Sequence, residues 1–283
     1  MRTRWKDAGL GTLTLVAVAA AMVVGEMVIR RHVPAMAARG LTALLVLGTY
    51  IAASKWIERR AVSDLDATRL LPEAASGFVA GLALFAIVMA VLWAAGVYHP
   101  AGRGAVTSLA ASLAAAVGAA VTEEVLFRGV LFRVSAKLLG TWGALLFTAA
   151  LFGAGHAFNH GATASSSLAI ALEAGVLLAA AYAATQRLWV PIGLHIGWNF
   201  TESAIFSMQV SGGHARDGLI RGSLSGPRIL TGGEFGPEAS IVAVVICFAA
   251  ALYFIRRIVV LHRIEPAVWS APISPPADPT PPG

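Results

Sequence analysis

The sequence has few charged residues and almost no cysteine. Charged side chains make up 13% of the 283 residues, about half of the roughly 25% found in soluble domains. So few charges leave too little polar surface to cover a soluble core. The single cysteine, Cys247, excludes an internal disulfide. The net charge of +6 comes from basic residues that stand singly or in pairs and form no stripe for a nucleic acid.

Apolar residues fill most of the chain, at 57% of the composition with a mean hydropathy of +0.74. A helix needs about 20 apolar residues to cross the hydrocarbon core of a bilayer. Windows of about this size predict an all-α, polytopic membrane bundle of about eight transmembrane helices embedded in the lipid bilayer. The windows are Leu10–Ile29, Leu41–Ile57, Ala74–Val97, Val106–Val121, Thr141–Phe158, Ser167–Thr185, Leu188–Phe206 and Ala239–Val260.

An even number of spans places both termini on one side of the membrane. Assigning that side to the cytoplasm puts 14 of the 21 Lys and Arg residues inside, which agrees with the positive-inside rule. We expect one membrane domain over residues 1–263, with its functional core at about 74–206. Residues 264–283 form a Pro-rich tail predicted to be disordered. The polar segment Ser211–Glu238 is predicted to be a loop or a re-entrant cap.

Ionisable residues within spans are costly and are functional candidates by default. The first group lies in Thr122-Glu123-Glu124-Val125-Leu126-Phe127-Arg128. Glu124 and Arg128 are four residues apart, so they can pair on one helix face. Glu123 points about 100° away and is left free for proton chemistry. The alternative is a carboxylate pair solvated at the membrane interface.

A second group pairs an aromatic ring with a histidine. Phe152 precedes His156 by one helical turn, and His160 follows one turn later. Both histidines have the spacing of metal ligands, but no Glu lies between them, so the helical zinc-protease pattern His-Glu-x-x-His is absent. A lone intramembrane histidine is also often a hydrogen bond between helices.

A third group begins at His195, which shares a helix face with Asn199 four residues later. The amide of Asn199 and the imidazole of His195 can stabilise an oxyanion or complete a ligand set, or they can simply hold helices together. Glu202 lies on roughly the same face and is predicted to support the group, near the membrane edge.

Glu173 lies in the middle of the sixth window, where a carboxylate cannot reach the interface as a Lys or Arg would. We expect it to face the same cavity and to orient His156 or His195. The alternative is a protonated side chain bonded to a neighbouring helix.

Together, the three motifs in this order on hydrophobic segments resemble the CPBP family of intramembrane proteases. That family comprises CAAX prenyl endopeptidases and the bacterial Abi proteins linked to bacteriocin processing and self-immunity. The similarity covers about Gly77 to Phe200, and the Gly-rich Ser211–Glu238 segment resembles one bacterial branch.

The resemblance implies a peptidase with Glu123, His156, His195 and Asn199 as catalytic residues and Glu124 and Arg128 as a supporting pair. In one version of the family mechanism, Glu123, His156 and His195 bind a divalent metal such as zinc. In the other, which we favour, Glu and His activate water and His with Asn holds the oxyanion. The expected substrate is a membrane-bound peptide or protein, and the expected location is the bacterial cytoplasmic membrane.

Two other classes of function fit some of these residues. Polar side chains in several spans also describe a transporter or proton pathway, although the sequence shows neither inverted repeats nor paired broken helices. A non-catalytic immunity or scaffold protein would keep the fold without needing all the polar residues of the motifs.

Overall fold

The structure, a computed structural model, describes residues 2–215 and 217–270 of the chain. It is a helical bundle, which confirms the all-α membrane fold predicted from the sequence. The main helices are α1 (Arg2–Val24), α2 (Ala35–Trp56), α3 (Leu70–Ala94), α4 (Leu109–Glu124), α5 (Arg133–Gly155), α6 (Ala164–Ile170), α7 (Val176–Thr185), α8 (Trp189–Phe200) and α9 (Ile241–Val260).

Six helical stretches in the described part of the chain are long and apolar enough to cross a membrane, whereas the sequence predicts eight. One of the six, Val106–Phe158, is 53 residues long, and the non-helical backbone of Gly140 (φ 70°, ψ 176°) divides it into two rods. Helix α8 has only 12 residues, fewer than the roughly 20 that span a bilayer. Each predicted window nevertheless coincides with a helical rod.

Several helices pass through π-helical turns, and four such turns lie within residues 2–215 and 217–270. Each contains one ionisable residue. Such wider turns are rare and occur frequently at functional sites. With their ionisable residues, the turns are Gly25–Ile29 (Glu26), Val125–Phe132 (Arg128), Ala171–Gly175 (Glu173) and Thr201–Ile205 (Glu202).

Helix α7 lies at the centre of the bundle, and its residues from Val176 to Ala184 are all buried. Its sequence is apolar on every side, which is typical of a helix surrounded by protein. Helices α5, α8 and α9 pack around it. This arrangement sets α8 and its polar residues close to the end of α4.

Two short antiparallel strands, which the sequence analysis did not predict, lie at one end of the bundle. Strand β1 (Tyr98–Arg103) follows α3, and β2 (Ile220–Leu224) belongs to the polar segment between α8 and α9. Their pairing provides hydrogen-bond partners for backbone N–H and C=O groups that would lack them in an unpaired loop. The predicted cap at Ser211–Glu238 is therefore anchored to the α3–α4 connection.

The predicted disordered tail starts at residue 264, but its first residues dock onto the bundle. The Glu265 N–H donates to Thr141 Oγ1 (2.8 Å), and the Thr141 N–H donates to the Glu265 carbonyl (3.0 Å). Arg4 donates to the carbonyl of Pro266 (2.9 Å). These contacts lie against the bend at Gly140, where a side chain would collide with the backbone of residues 265–267. The rest of the predicted tail, residues 271–283, lies outside the described residues.

Candidate active site

Glu123 and Glu124 end helix α4, immediately before the π-helical turn Val125–Phe132. Glu124 is fully buried, whereas Glu123 is partly exposed and lines a cavity. One oxygen of Glu123, Oε2, has no hydrogen-bond partner within the described residues. The two neighbouring carboxylates therefore face different surroundings, as the helical geometry predicts.

Glu124 is the centre of a buried hydrogen-bonded network. Its Oε1 atom accepts from Arg128 Nη1 at 2.8 Å, which confirms the predicted pair. The same oxygen lies 3.0 Å from Nδ1 of His195. The sequence motifs did not reveal this second contact, because residues 124 and 195 are distant in the chain. This contact holds the His195 ring in one orientation.

Arg128 is fully buried and binds more than one element. Its Nη2 atom donates to the backbone carbonyls of Ala174 (3.2 Å) and Gly175 (3.3 Å), which end the π-helical turn in front of α7. Its guanidinium carbon also lies 4.7 Å from the ring centroid of Phe152, a cation–π distance. Arg128 therefore fixes α4 against α7 while it neutralises Glu124.

Phe152 and His156 occupy the last turn of α5 and the 3₁₀ turn after it. Nδ1 of His156 lies 2.8 Å from the Phe152 carbonyl, which fixes that nitrogen as the donor. The Phe152 ring is buried and lies 4.7 Å from the His156 ring and 6.3 Å from the His195 ring, between centroids. Phe152 thus packs against the Arg128 guanidinium and against both imidazole rings.

Helix α8 carries His195 and Asn199, both nearly buried, and is pressed against α3. A Cβ atom added at Gly81 would lie 2.0 Å from the Leu194 carbonyl oxygen, so the two backbones are in direct contact. Glycines four residues apart allow such contact between membrane helices. The glycines concerned are Gly77 and Gly81 on α3 and Gly193 and Gly197 on α8.

A cavity of about 880 Å³ brings the predicted residues together. Glu123 from α4, His156 from the end of α5 and His195 with Asn199 from α8 all line it. Its volume lies within the usual range for ligand sites. The structure therefore gathers the four sequence-predicted residues around one space.

Other polar residues line this cavity although the three motifs do not include them. Asn159 belongs to the cavity wall and donates to the Ser211 carbonyl (3.0 Å), which ties the end of α5 to the cap. His160, considered above as a metal ligand, also lies in the wall, as do Arg30, which follows the π-helical turn after α1, and Arg39 in α2. The region before Leu71 carries no recognisable motif, so only the fold could place these two arginines here.

Behind the histidines lies a second, small cavity of about 20 Å³, lined in part by Glu173 and Glu238. Glu173 is buried, and both His156 and His195 line the same space, so its predicted role towards the histidines stays a prediction. Glu202 is fully buried beside Glu238, and its expected place near the membrane edge stays a prediction.

The predicted metal ligands do not gather into a metal-binding group. Among the described residues, no three His, Cys, Asp or Glu side chains are placed to hold one ion. Both Nδ1 atoms are engaged, by Glu124 at His195 and by the Phe152 carbonyl at His156, an arrangement that metal-bound histidines also show. The Nε2 atoms are the ring nitrogens that remain for chemistry. As placed, Glu123, His156 and His195 do not fit a shared zinc ion.

Comparison with protein families finds one match, to type II CAAX prenyl endopeptidase Rce1-like proteins, over residues 105–201. The matched segment contains Glu123, His156, His195 and Asn199, and it confirms the resemblance inferred from the three motifs. Comparison with curated proteins and with solved structures gives no match. With its long apolar helices, the chain is an integral membrane protein, and its residues 105–201 are similar to Rce1-like CAAX prenyl endopeptidases.

Proposed function

We propose, on the premise that residues 105–201 form an Rce1-like domain, that the chain is an intramembrane endopeptidase. It hydrolyses a peptide bond in a membrane-associated peptide or protein that enters the large cavity. The observation that carries this proposal is the convergence of Glu123, His156, His195 and Asn199, from three separate parts of the chain, on that one space.

Glu123 is the general base in this mechanism. Its neighbour Glu124 is neutralised by Arg128, whereas Glu123 has a carboxylate oxygen without a hydrogen-bond partner within the described residues. Glu123 takes a proton from water as the water oxygen bonds to the scissile carbonyl carbon. When the C–N bond breaks, Glu123 returns the proton to the leaving amine. The products are a new carboxyl terminus and a new amino terminus.

The two histidines and Asn199 act on the oxygen atoms of the reaction. Because Nδ1 of His156 donates to a backbone carbonyl, the Nε2 atom of the neutral ring accepts a hydrogen bond and can hold the attacking water. Asn199 offers amide donors to the oxyanion, assisted by His195, whose ring is held in place by its contact with Glu124. Donors that are held in place before the reaction stabilise the developing charge without reorganising.

The test is a comparison of Glu123→Gln with Glu234→Gln. The second variant makes the same chemical change on an exposed glutamate. Each purified protein is reconstituted in liposomes with a prenylated peptide that ends in a CAAX sequence, and membrane-protein termini are mapped by mass spectrometry in cells that express each variant.

We expect Glu123→Gln to lower cleavage by at least about 10²-fold, with unchanged yield, and Glu234→Gln to cleave normally. Full activity of the Glu123→Gln protein would end the general-base assignment. Absence of any cleavage by the unchanged protein, in both assays, would count against the protease itself.

A further inference from the structure

The large cavity opens at one end of the helical bundle. Its outer wall consists of Glu26 and Arg30 near the end of α1, Arg39 and Thr42 near the start of α2, and the segment 210–215 of the cap. Glu123, by contrast, lies 14 residues into α4, about 21 Å along the helix from its first residue. The cavity therefore runs from the capped end of the bundle towards the middle of the membrane.

The opposite end of the bundle carries the first and the last described helical residues. Arg4 there bonds to Pro266, and Glu58 in the α2–α3 connection pairs with Arg133 at the start of α5. Arg263 donates to the carbonyl of Ala184 at the end of α7. These contacts make the terminal end a closed, polar surface, distinct from the capped end with the cavity.

Basic residues favour the terminal end. By position along the chain, 13 of the 21 Lys and Arg residues belong to this end and 6 to the capped end, while residue 216 lies outside the described residues. Arg128 is left out because it is buried in the ion pair with Glu124. Basic residues close to the ends of spans stay predominantly in the cytoplasm. The charge distribution therefore favours the orientation in which the terminal end faces the cytoplasm and the capped end faces the other side of the membrane.

We infer that the active-site cavity opens to the non-cytoplasmic face of the membrane, so that the substrates are membrane proteins or peptides whose cleaved segment lies on that face. The statement about substrates rests on the proposed protease function; the statement about the opening does not. A segment confined to the cytoplasm would have to cross most of the bilayer to reach Glu123 through this opening.

Cysteine labelling tests the orientation directly. The lone native Cys247 is fully buried, and Cys247→Ala provides a background without thiols. Ser223→Cys on strand β2 then probes the capped end, and Ser63→Cys in the α2–α3 connection probes the terminal end. Both serines are exposed, and neither substitution alters the charge balance that sets orientation. If Cys247→Ala lowers the yield, the same probes work in the native background, because a buried thiol reacts slowly.

In intact cells that express the full chain, we expect a membrane-impermeant maleimide to label the Ser223→Cys protein at a rate roughly 10-fold or more above that of the Ser63→Cys protein. After permeabilisation both should react, which shows that both thiols are reactive. Preferential labelling of Ser63→Cys in intact cells, or equal labelling of the two, would overturn the inferred orientation.

Mapping of membrane-protein termini tests the substrate class. Termini that appear with the unchanged protein but not with Glu123→Gln should lie in non-cytoplasmic segments. Glu123-dependent termini in cytoplasmic segments would overturn the substrate inference and leave the protease intact. If no Glu123-dependent termini appear while the labelling pattern holds, the proposed function fails and the orientation stands.

Discussion

The contact between α3 and α8 makes a specific prediction for Gly81→Ala, a change of one methyl group in a residue that does not line the large cavity. The new Cβ atom would lie 2.0 Å from the Leu194 carbonyl oxygen and 2.8 Å from the Trp198 nitrogen. Ordinary contact begins near 3.4 Å. Because both obstacles are backbone atoms of α8, no side chain can rotate away, and the helices themselves must separate by about 1 Å.

The size of the effect follows from this displacement. Overpacking of this kind typically lowers the free energy of unfolding by about 1–3 kcal/mol. The better helix propensity of Ala offsets about 1 kcal/mol of this loss. The free energy of unfolding should therefore fall by only about 0–2 kcal/mol. Activity should fall more, because α8 would carry His195 and Asn199 away from Glu123. A misplacement of about 1 Å at a reacting centre can cost roughly 10²-fold in rate.

The matched control is Gly48→Ala in α2, where an added Cβ meets nothing within 4 Å. The assay compares peptide cleavage and the midpoint of thermal unfolding in detergent for both variants. We expect a loss of about 10²-fold in cleavage for Gly81→Ala and unchanged or slightly higher stability, with normal cleavage, for Gly48→Ala. Normal cleavage by the Gly81→Ala protein would refute the argument that backbone contact with α3 positions α8.

Three further predictions follow from the same structure. Arg128→Ala should destabilise the protein by about 3–5 kcal/mol, because it leaves Glu124 charged and buried without its partner; an unchanged melting temperature would show that the pair does not stabilise the fold. Because the histidines and Glu123 do not gather around one ion, prolonged chelation should leave cleavage intact, and loss of cleavage with recovery on adding zinc would restore the metal mechanism. Burial would raise the pKa of the Glu58 carboxyl, but the hydrogen bond and charge of Arg133 hold it below its usual value. Glu58→Gln should therefore lower the melting temperature at neutral pH, with a difference that shrinks as the pH falls through that lowered pKa; a difference independent of pH would contradict this.

The sequence by itself determined the fold class and singled out Glu123, His156, His195 and Asn199, four of the residues that line the cavity. Membrane spans follow from hydropathy because a bilayer forces each backbone group into an internal hydrogen bond. The pairing of Glu124 with Arg128 followed from helix periodicity, since residues four apart share a face. Because ionisable residues in apolar spans are rare, Glu123, His156 and His195 could be identified as functional candidates from the sequence alone.

Only the tertiary structure decided how these groups contact one another. The hydrogen bond between Glu124 and His195 joins residues that lie 71 positions apart, and no local periodicity encodes such a contact. The burial of Glu202 beside Glu238 depends on how the cap folds back onto α8, which composition does not reveal. The direction in which the cavity opens depends on the joint placement of α1, α2 and the cap. Short-range patterns report which face of each helix is polar, whereas packing determines which polar faces meet.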